Sequence, residues 1–281
     1  MGHSSRSYSL TPETFSILRD LVEERLGLYF DNGKSDFLVD RLSPLVTARG
    51  LTSFMDYYYL LKYDRAKAAE EWKRVADALT VNETYFWREA DQVLALTQKV
   101  VPELLALLPR AVKLRVWSAA CATGEEPLTI AMALNEAGLL DDDRIEIDAS
   151  DVSEEVLQKA RLGLYRERSL RSLPAELKTK YFREESGLWR VDPALHARVR
   201  WHQVNLVDQA EVERFACSSV IFCRNLFIYF SRATMLEVVD TFYRCMPRPG
   251  YLFLGAAESL LRLGTAFEFE AVGNAFVYVK R

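Results

Sequence analysis

Histidine is scarce, with three residues (His3, His196 and His202), and the four cysteines, Cys121, Cys217, Cys223 and Cys245, form no C-x-x-C pair. These shortages exclude the common zinc frameworks, so no metal is expected. Four unpaired thiols suit the reducing environment of a cytoplasmic protein. No apolar run approaches a membrane span, and Met1–Ser9 is polar, without the core of a signal peptide. Direct membrane insertion is therefore not expected. A basic excess is missing as well: the net charge is −4 and the pI about 5.6. That argues against a nucleic-acid partner, which calls for a positive surface.

What is present is ample core material. Hydrophobic residues make up 49% and charged residues 27% of 281, enough for two compact units. Residues 1–80 read as an all-α domain. Thr11 is placed to cap a first helix with Pro12 at its first position; Phe15, Leu18, Leu21, Val22 and Leu26 follow the helical period, and Gly27 stops it. Further helices are predicted over Ser35–Arg49, from Thr52, and over Arg65–Leu79. Residues 81–110 read as a linker helix. From 111 to 281 short apolar runs alternate with helices. Strands are predicted at Leu114–Ser118, Ile145–Ser150, Val220–Cys223 and Tyr251–Leu254, with an antiparallel hairpin over Phe267–Val272 and Ala275–Val279. That alternation implies a Rossmann-like α/β fold with an open, mostly parallel sheet. The stretch 165–203 is too long for a plain crossover and reads as a small inserted β subdomain.

The first strand runs into Trp117-Ser-Ala-Ala-Cys-Ala-Thr-Gly-Glu-Glu-Pro127. Small residues between a strand and a helix let a nucleotide-like ligand approach the backbone. Only Gly124 is glycine, and no Lys-Ser/Thr follows, so a triphosphate loop is excluded. Glu125 and Glu126 at the helix start would repel a pyrophosphate and attract an ammonium group. That favours S-adenosylmethionine over NAD, although both glutamates would also complement the helix dipole. Asp151 ends the second strand, 27 residues beyond Gly124, where an acid accepts from two ribose hydroxyls. Arg224 and Asn225 interrupt an apolar run, and burying either without a partner costs free energy.

Four blocks then occur in order: Asn82-Glu-Thr-Tyr-Phe-Trp-Arg88, Trp117–Pro127, Ala149-Ser-Asp-Val152 and Phe222-Cys-Arg-Asn-Leu-Phe-Ile-Tyr-Phe230. Together they resemble the signature blocks of the CheR-type chemotaxis receptor methyltransferases, over nearly the whole chain. The resemblance implies a Rossmann-like S-adenosylmethionine-dependent methyltransferase domain behind an all-α domain. It implies methyl transfer to glutamate side chains of bacterial chemoreceptors, with S-adenosylhomocysteine as the second product. The cofactor contacts it implies are Asn82, Thr84, Arg88, Glu125, Glu126, Asp151, Asn205, Leu206, Asn225 and Leu226. Arg88 and Tyr229 are the residues expected to position the substrate carboxylate. Tyr85, Phe86 and Trp87 are expected to pack rather than to stack on a ligand.

The sequence departs from the family pattern twice. Gly255-Ala-Ala-Glu-Ser259 lacks the histidine often found there, and Phe182–Arg190 lacks the glycine-rich loop of members that tether to a receptor's C-terminal pentapeptide. Activity independent of such a tether is expected. The partner is expected to be the cytoplasmic helical signalling domain of a chemoreceptor, met by a monomer through Lys34, Arg41, Arg49, Lys62 and Arg65. The rival reading is a non-catalytic S-adenosylmethionine-binding signalling module. It would keep Asp151 and Glu126 but lack Arg88 or the Asn225 region, and both are present.

Overall fold

The computed structural model describes residues 8–141 and 143–281. The polar N-terminal stretch read above falls mostly outside them, as does His3. The chain divides into two units, one running to Val81 and including Tyr229–Ser231, the other spanning Asn82–Ile228 and Arg232–Arg281.

The first unit is helical: α1 (Pro12–Leu26), α2 (Ser35–Ala48), α3 (Phe54–Tyr63) and α4 (Ala68–Leu79). Thr11 caps α1 by accepting the Thr14 N–H, and Gly27 ends it in the left-handed region at φ 75°, as the sequence predicts. The apolar stripe of α1, Phe15, Leu18, Leu21, Val22 and Leu26, is buried. One carboxylate is buried in this core. Glu71 of α4 is fully covered and takes hydrogen bonds from the Arg49 guanidinium and from Tyr57 Oη at 2.9 Å. Of the basic residues singled out from sequence, two have partners within this unit. Arg49 neutralises a buried charge, and Lys62 Nζ donates to Tyr58 Oη at 2.7 Å. Lys34, Arg41, Lys62 and Arg65 are exposed.

The second unit opens with an irregular run, 82–89, and then α5 (Ala90–Ala95), a widened π turn (Leu96–Val100) and α6 (Val101–Leu107). The elements that follow are β1 (Leu114–Ser118), α7 (Glu125–Glu136), β2 (Ile145–Asp151), α8 (Glu154–Leu162), β3 (Leu164–Tyr165), α9 (Ala175–Tyr181), β4 (Phe182–Glu185), β5 (Leu188–Val191) and α10 (Pro193–His196). The last are β6 (Val199–Gln203), α11 (Gln209–Ala216), β7 (Val220–Phe222), α12 (Arg232–Cys245), β8 (Gly250–Phe253), β9 (Glu268–Val272) and β10 (Ala275–Lys280). The large sheet has the order β6-β2-β1-β7-β8-β10-β9. Its first five strands are parallel, and β10 runs antiparallel to both neighbours. Central strands are covered on both faces, so Val116, Ile147, Val220, Phe222 and Phe253 have almost no exposure, and β7 and β8 are apolar along nearly their whole length.

The insertion is the antiparallel sheet β3-β5-β4. Val199–His202 does not belong to it, contrary to the sequence reading. That run is the edge strand β6, paired in parallel to β2 from Ile147↔Val199 to Asp151↔Gln203. A buried charge ties this edge down. Asp148 accepts from His202 Nε2 at 2.8 Å and from Arg200 at 2.8–3.0 Å. Burial pushes the Asp148 carboxyl up, but these two partners outweigh it and hold it below the usual range.

Candidate active site

The register of the parallel strands brings three chain ends together. Ser118, last in β1, stands level with Ala149 of β2 and with Phe222 of β7. The chain leaves β1 toward β2 on one side and reaches β7 on the other, so a crevice opens at their carboxyl ends. Asp151, Asn225 and the loop after β1 all sit at this edge.

That loop is tightly bonded to its neighbours. Ala119 N–H donates to Phe222 O at 2.7 Å, and Cys121 N–H to Ser150 O at 2.9 Å. Asp151 accepts Ala122 N–H at 2.9 Å on one oxygen and Ser153 N–H at 3.0 Å on the other. Its carboxylate is thus fixed by backbone donors from both flanking segments. Ala122 is held at φ 46° and Gly124 at φ 94°, both left-handed. The glycine has a different cause from the one expected. A Cβ there would lie 2.7 Å from the Trp201 ring, so Gly124 makes room for the indole of β6 rather than for a ligand.

The two glutamates at the start of α7 have parted company. Glu125 is 2% exposed and accepts from Thr123 Oγ1 at 2.6 Å. Burial raises its carboxyl against that bond. In this arrangement it braces the loop through Thr123. Glu126 accepts from Ser118 Oγ at 2.7 Å, and its other oxygen lies 3.4 Å from Arg224 Nε. Burial raises Glu126 as well, while Arg224 pulls it down.

Arg224 is the hub of the site. Its side chain is 3% exposed; Nε stands 3.4 Å from Glu126 and 3.6 Å from Glu89 Oε2, and a terminal nitrogen donates to Arg88 O at 2.8 Å. Trp87 and Glu89, on either side of that carbonyl, both have positive φ, 66° and 55°. Such backbone is costly and persists only where the surroundings enforce it. Arg224 Nε and Glu89 Oε2 are buried without a hydrogen-bond partner among the described residues. Unmet donor and acceptor capacity beside Glu126 fits the ammonium and carboxylate of a methionine tail. Asp151, on the far side of β1, fits a ribose. The donor set therefore suits S-adenosylmethionine.

Asn225 closes the other wall. It too is left-handed, at φ 58°. Glu258, from the Gly255-Ala-Ala-Glu-Ser259 stretch, accepts the N–H groups of Asn225 and Gly255 on one oxygen and of Phe227 on the other, each at 2.7 Å. The Asn225 amide packs where a Cβ on Gly255 would sit, 2.6 Å from Nδ2. Sequence reasoning noted this stretch only for the histidine it lacks and missed the clamp. A lone carboxylate just past a buried strand was the available signal.

The remaining expected residues are placed as follows. Asn205 follows β6, next to β2, where Val204 N–H donates to Asp151 O at 3.1 Å. Its own N–H donates to Glu211 at 2.8 Å, and Leu206 beside it is buried. Asn82 and Thr84 are half-buried in the irregular run ahead of Phe86. Phe86 is fully buried against Tyr165 and Phe182, as expected. Tyr85 is not core: its ring is flanked by Arg171 and Arg88. Tyr229 ends a 3₁₀ turn (Phe227–Tyr229) and groups with the helical unit, where its carbonyl accepts Tyr29 N–H at 2.8 Å. Among the described residues no cluster of three or more His, Cys, Asp or Glu could hold a metal ion, and no helix is long and apolar enough to cross a membrane.

Comparison with known proteins agrees with this geometry. Residues 13–80 match the CheR methyltransferase all-alpha domain, and residues 82–275 match the CheR methyltransferase SAM binding domain. Chemotaxis protein methyltransferase 2 of Vibrio cholerae is 35% identical, covering 96% of this chain and 94% of that protein. Chemotaxis protein methyltransferase 1 of Pseudomonas aeruginosa is 31% identical, covering 94% and 96%. The chemotaxis protein methyltransferase of Escherichia coli is 33% identical, covering 92% and 88%. With an all-α unit ahead of a SAM-binding methyltransferase unit, and both matched over most of their length, the chain belongs to the CheR methyltransferase family.

Proposed function

We propose that the protein methylates glutamate side chains in the helical signalling domains of bacterial chemoreceptors, giving methyl esters that adjust chemotactic signalling. The observation that carries the reading is the buried Arg224 with Glu126 and Glu89 around it, one strand away from Asp151. The relatives' description as chemotaxis methyltransferases supplies the pathway.

S-adenosylmethionine, when bound, supplies a methyl group made electrophilic by its sulfonium. The residues of this chain then have three tasks. Glu126, Glu89 and Arg224 hold the amino-acid end, Asp151 the ribose, with Asn205 and Leu206 at the adenine and Asn225 and Leu226 at the closing wall. Asn82 and Thr84 line the approach. The substrate glutamate is already ionised at neutral pH, with an ordinary pKa near 4.3, so no general base is required. Arg88, whose guanidinium donates to the Glu83 carbonyl at 3.0 Å, orients the incoming carboxylate through its planar fork. Alignment and partial dehydration of that carboxylate are what the protein contributes to rate.

Tethering through a receptor C-terminal pentapeptide is not part of this proposal. Strands β4 and β5 are joined by the two-residue turn Ser186-Gly187, both left-handed, leaving no extended glycine-rich loop. The protein acts in the cytoplasm, as a monomer.

The test is incubation with methyl-labelled S-adenosylmethionine and purified receptor signalling domains. A label lost in mild base identifies a carboxyl ester; a base-stable label, or none, refutes the proposal. Arg88→Lys should lower turnover more than S-adenosylhomocysteine affinity, because lysine cannot form the bidentate pair.

A further inference from the structure

Tyr85 is expected to pack, and its half-buried ring carries two cations. Arg171 Cζ lies 3.8 Å from the ring centroid and Arg88 Cζ 5.5 Å from it. The arrangement is anchored by the backbone. Phe86 N–H donates to Ser169 O at 2.9 Å, tying the run that holds Tyr85 and Arg88 to the 3₁₀ turn Glu167–Leu170 that Arg171 follows. Arg171 also donates to Arg168 O at 3.0 Å, which fixes its guanidinium on the turn.

Two guanidiniums that share one ring repel each other; Glu126 attracts Arg88 but is already held by Arg224, and the other acids relieve the pair only in part. Glu83, 3.6 Å from Arg171, is 79% exposed, so the pair is weak in water. Glu125 faces Arg168 from inside the protein. Glu167 is paired with Lys178 at 2.7 Å. Arg171 keeps 43% of its side-chain surface, and its contacts engage two of the five N–H donors of a guanidinium. In a chain of net charge −4 this is a local surplus of positive charge with donors to spare.

We infer that Arg171 is a specificity residue that reads a second carboxylate on the substrate, next to the glutamate being methylated. This rests on the reading of Arg88 given above. On a helix, residues three or four apart stand about 5–6 Å from each other, a spacing that two cations sharing one ring can span. Arg88 takes the target, and Arg171 takes an acid one turn away. The preferred substrate is thus a helix with an acidic residue three or four positions from the modified glutamate. Tyr85 keeps the two guanidiniums near each other by holding both against one ring.

The experiment compares two receptor signalling domains, one with its native acids around the methylated position and one with those acids changed to glutamine. The unaltered protein should show a kcat/KM about tenfold higher on the acidic form, the scale of one exposed charge-assisted contact. Most of that difference should lie in KM. Arg171→Ala should erase the preference while S-adenosylhomocysteine affinity stays as it was, and Arg171→Lys should restore part of it through charge alone. A preference that persists in Arg171→Ala overturns the inference, as does equal use of both substrates by the unaltered protein. If the unaltered protein forms no ester on either substrate, the proposed function fails and this inference with it.

Discussion

Glu258→Gln is the sharpest probe of the site, because the substitution keeps size and removes charge. The carboxylate accepts Asn225 and Gly255 N–H on one oxygen and Phe227 N–H on the other. An amide keeps one acceptor oxygen. In its better orientation it retains the first two bonds and sets its NH₂ against the Phe227 N–H. Charge-assisted bonds are worth about 1.5–3 kcal/mol and neutral ones about half as much, so one lost bond and two weakened ones sum to about 3–6 kcal/mol. Part of this returns through water at a partly buried loop, leaving about 2–3 kcal/mol to hold Asn225 in its left-handed conformation. If the loop must be re-formed on ligand binding, that loss corresponds to an S-adenosylhomocysteine Kd higher by about 30- to 150-fold. Calorimetric titration reads the affinity, and a thermal melt run beside it shows whether the variant is folded. A folded variant with unchanged Kd would refute the view that Glu258 preorganises the Asn225–Leu226 wall.

Asp151→Ala should weaken S-adenosylhomocysteine by about tenfold or more, since charge-assisted bonds of about 1.5–3 kcal/mol are lost and Ala122 loses its acceptor; calorimetry on the folded variant checks it. Arg49→Ala should lower the thermal midpoint because it leaves Glu71 buried with Arg74, 3.9 Å away, as its nearest remaining cation, whereas Arg41→Glu should leave the midpoint unchanged. Ligand affinity should also fall with pH. Burial raises Glu126, and an ammonium ligand lowers it again, so binding is at full strength above the raised value and is lost as pH falls through it. Titrations at descending pH should show the decline beginning above the ordinary carboxylate range, and Glu126→Gln should bind weakly with little pH dependence.

Local signals carried much of the fold. Thr11, Pro12 and Gly27 specify the ends of α1 by capping chemistry, and apolar runs mark β7 and β8, which are covered on both faces, while β1 and β2 show through short segments with polar interruptions. What the sequence hid was non-local. Val199–His202 reads like part of the insertion because nothing in its own residues reveals the partner strand; only the Asp148 ion pairs and the register with β2 place it in the large sheet. The site followed the same divide. The places of Asp151 at a strand end and Glu126 in a first helical turn were legible from the sequence. Arg224 was suspect because of the cost of burial, yet its partners Glu89 and Arg88 lie more than a hundred residues away. Glu258 was illegible because its work is done by backbone N–H groups, which leave no trace in side-chain identity.

The C-terminal hairpin has an inverted logic of assembly. Strand β9 precedes β10 in the chain, but β10 is the one inserted beside β8, and β9 reaches the large sheet only through it. The Gly273-Asn274 turn thus folds an earlier segment over the outside of a later one. The later strand is a keystone: until Ala275–Lys280 is seated, Glu268–Val272 has nothing to pair with and β8 presents a raw edge. Loss of this single short strand would strip two from the sheet, and a break in the turn would convert its neighbour's slot into a groove shaped for one extended peptide.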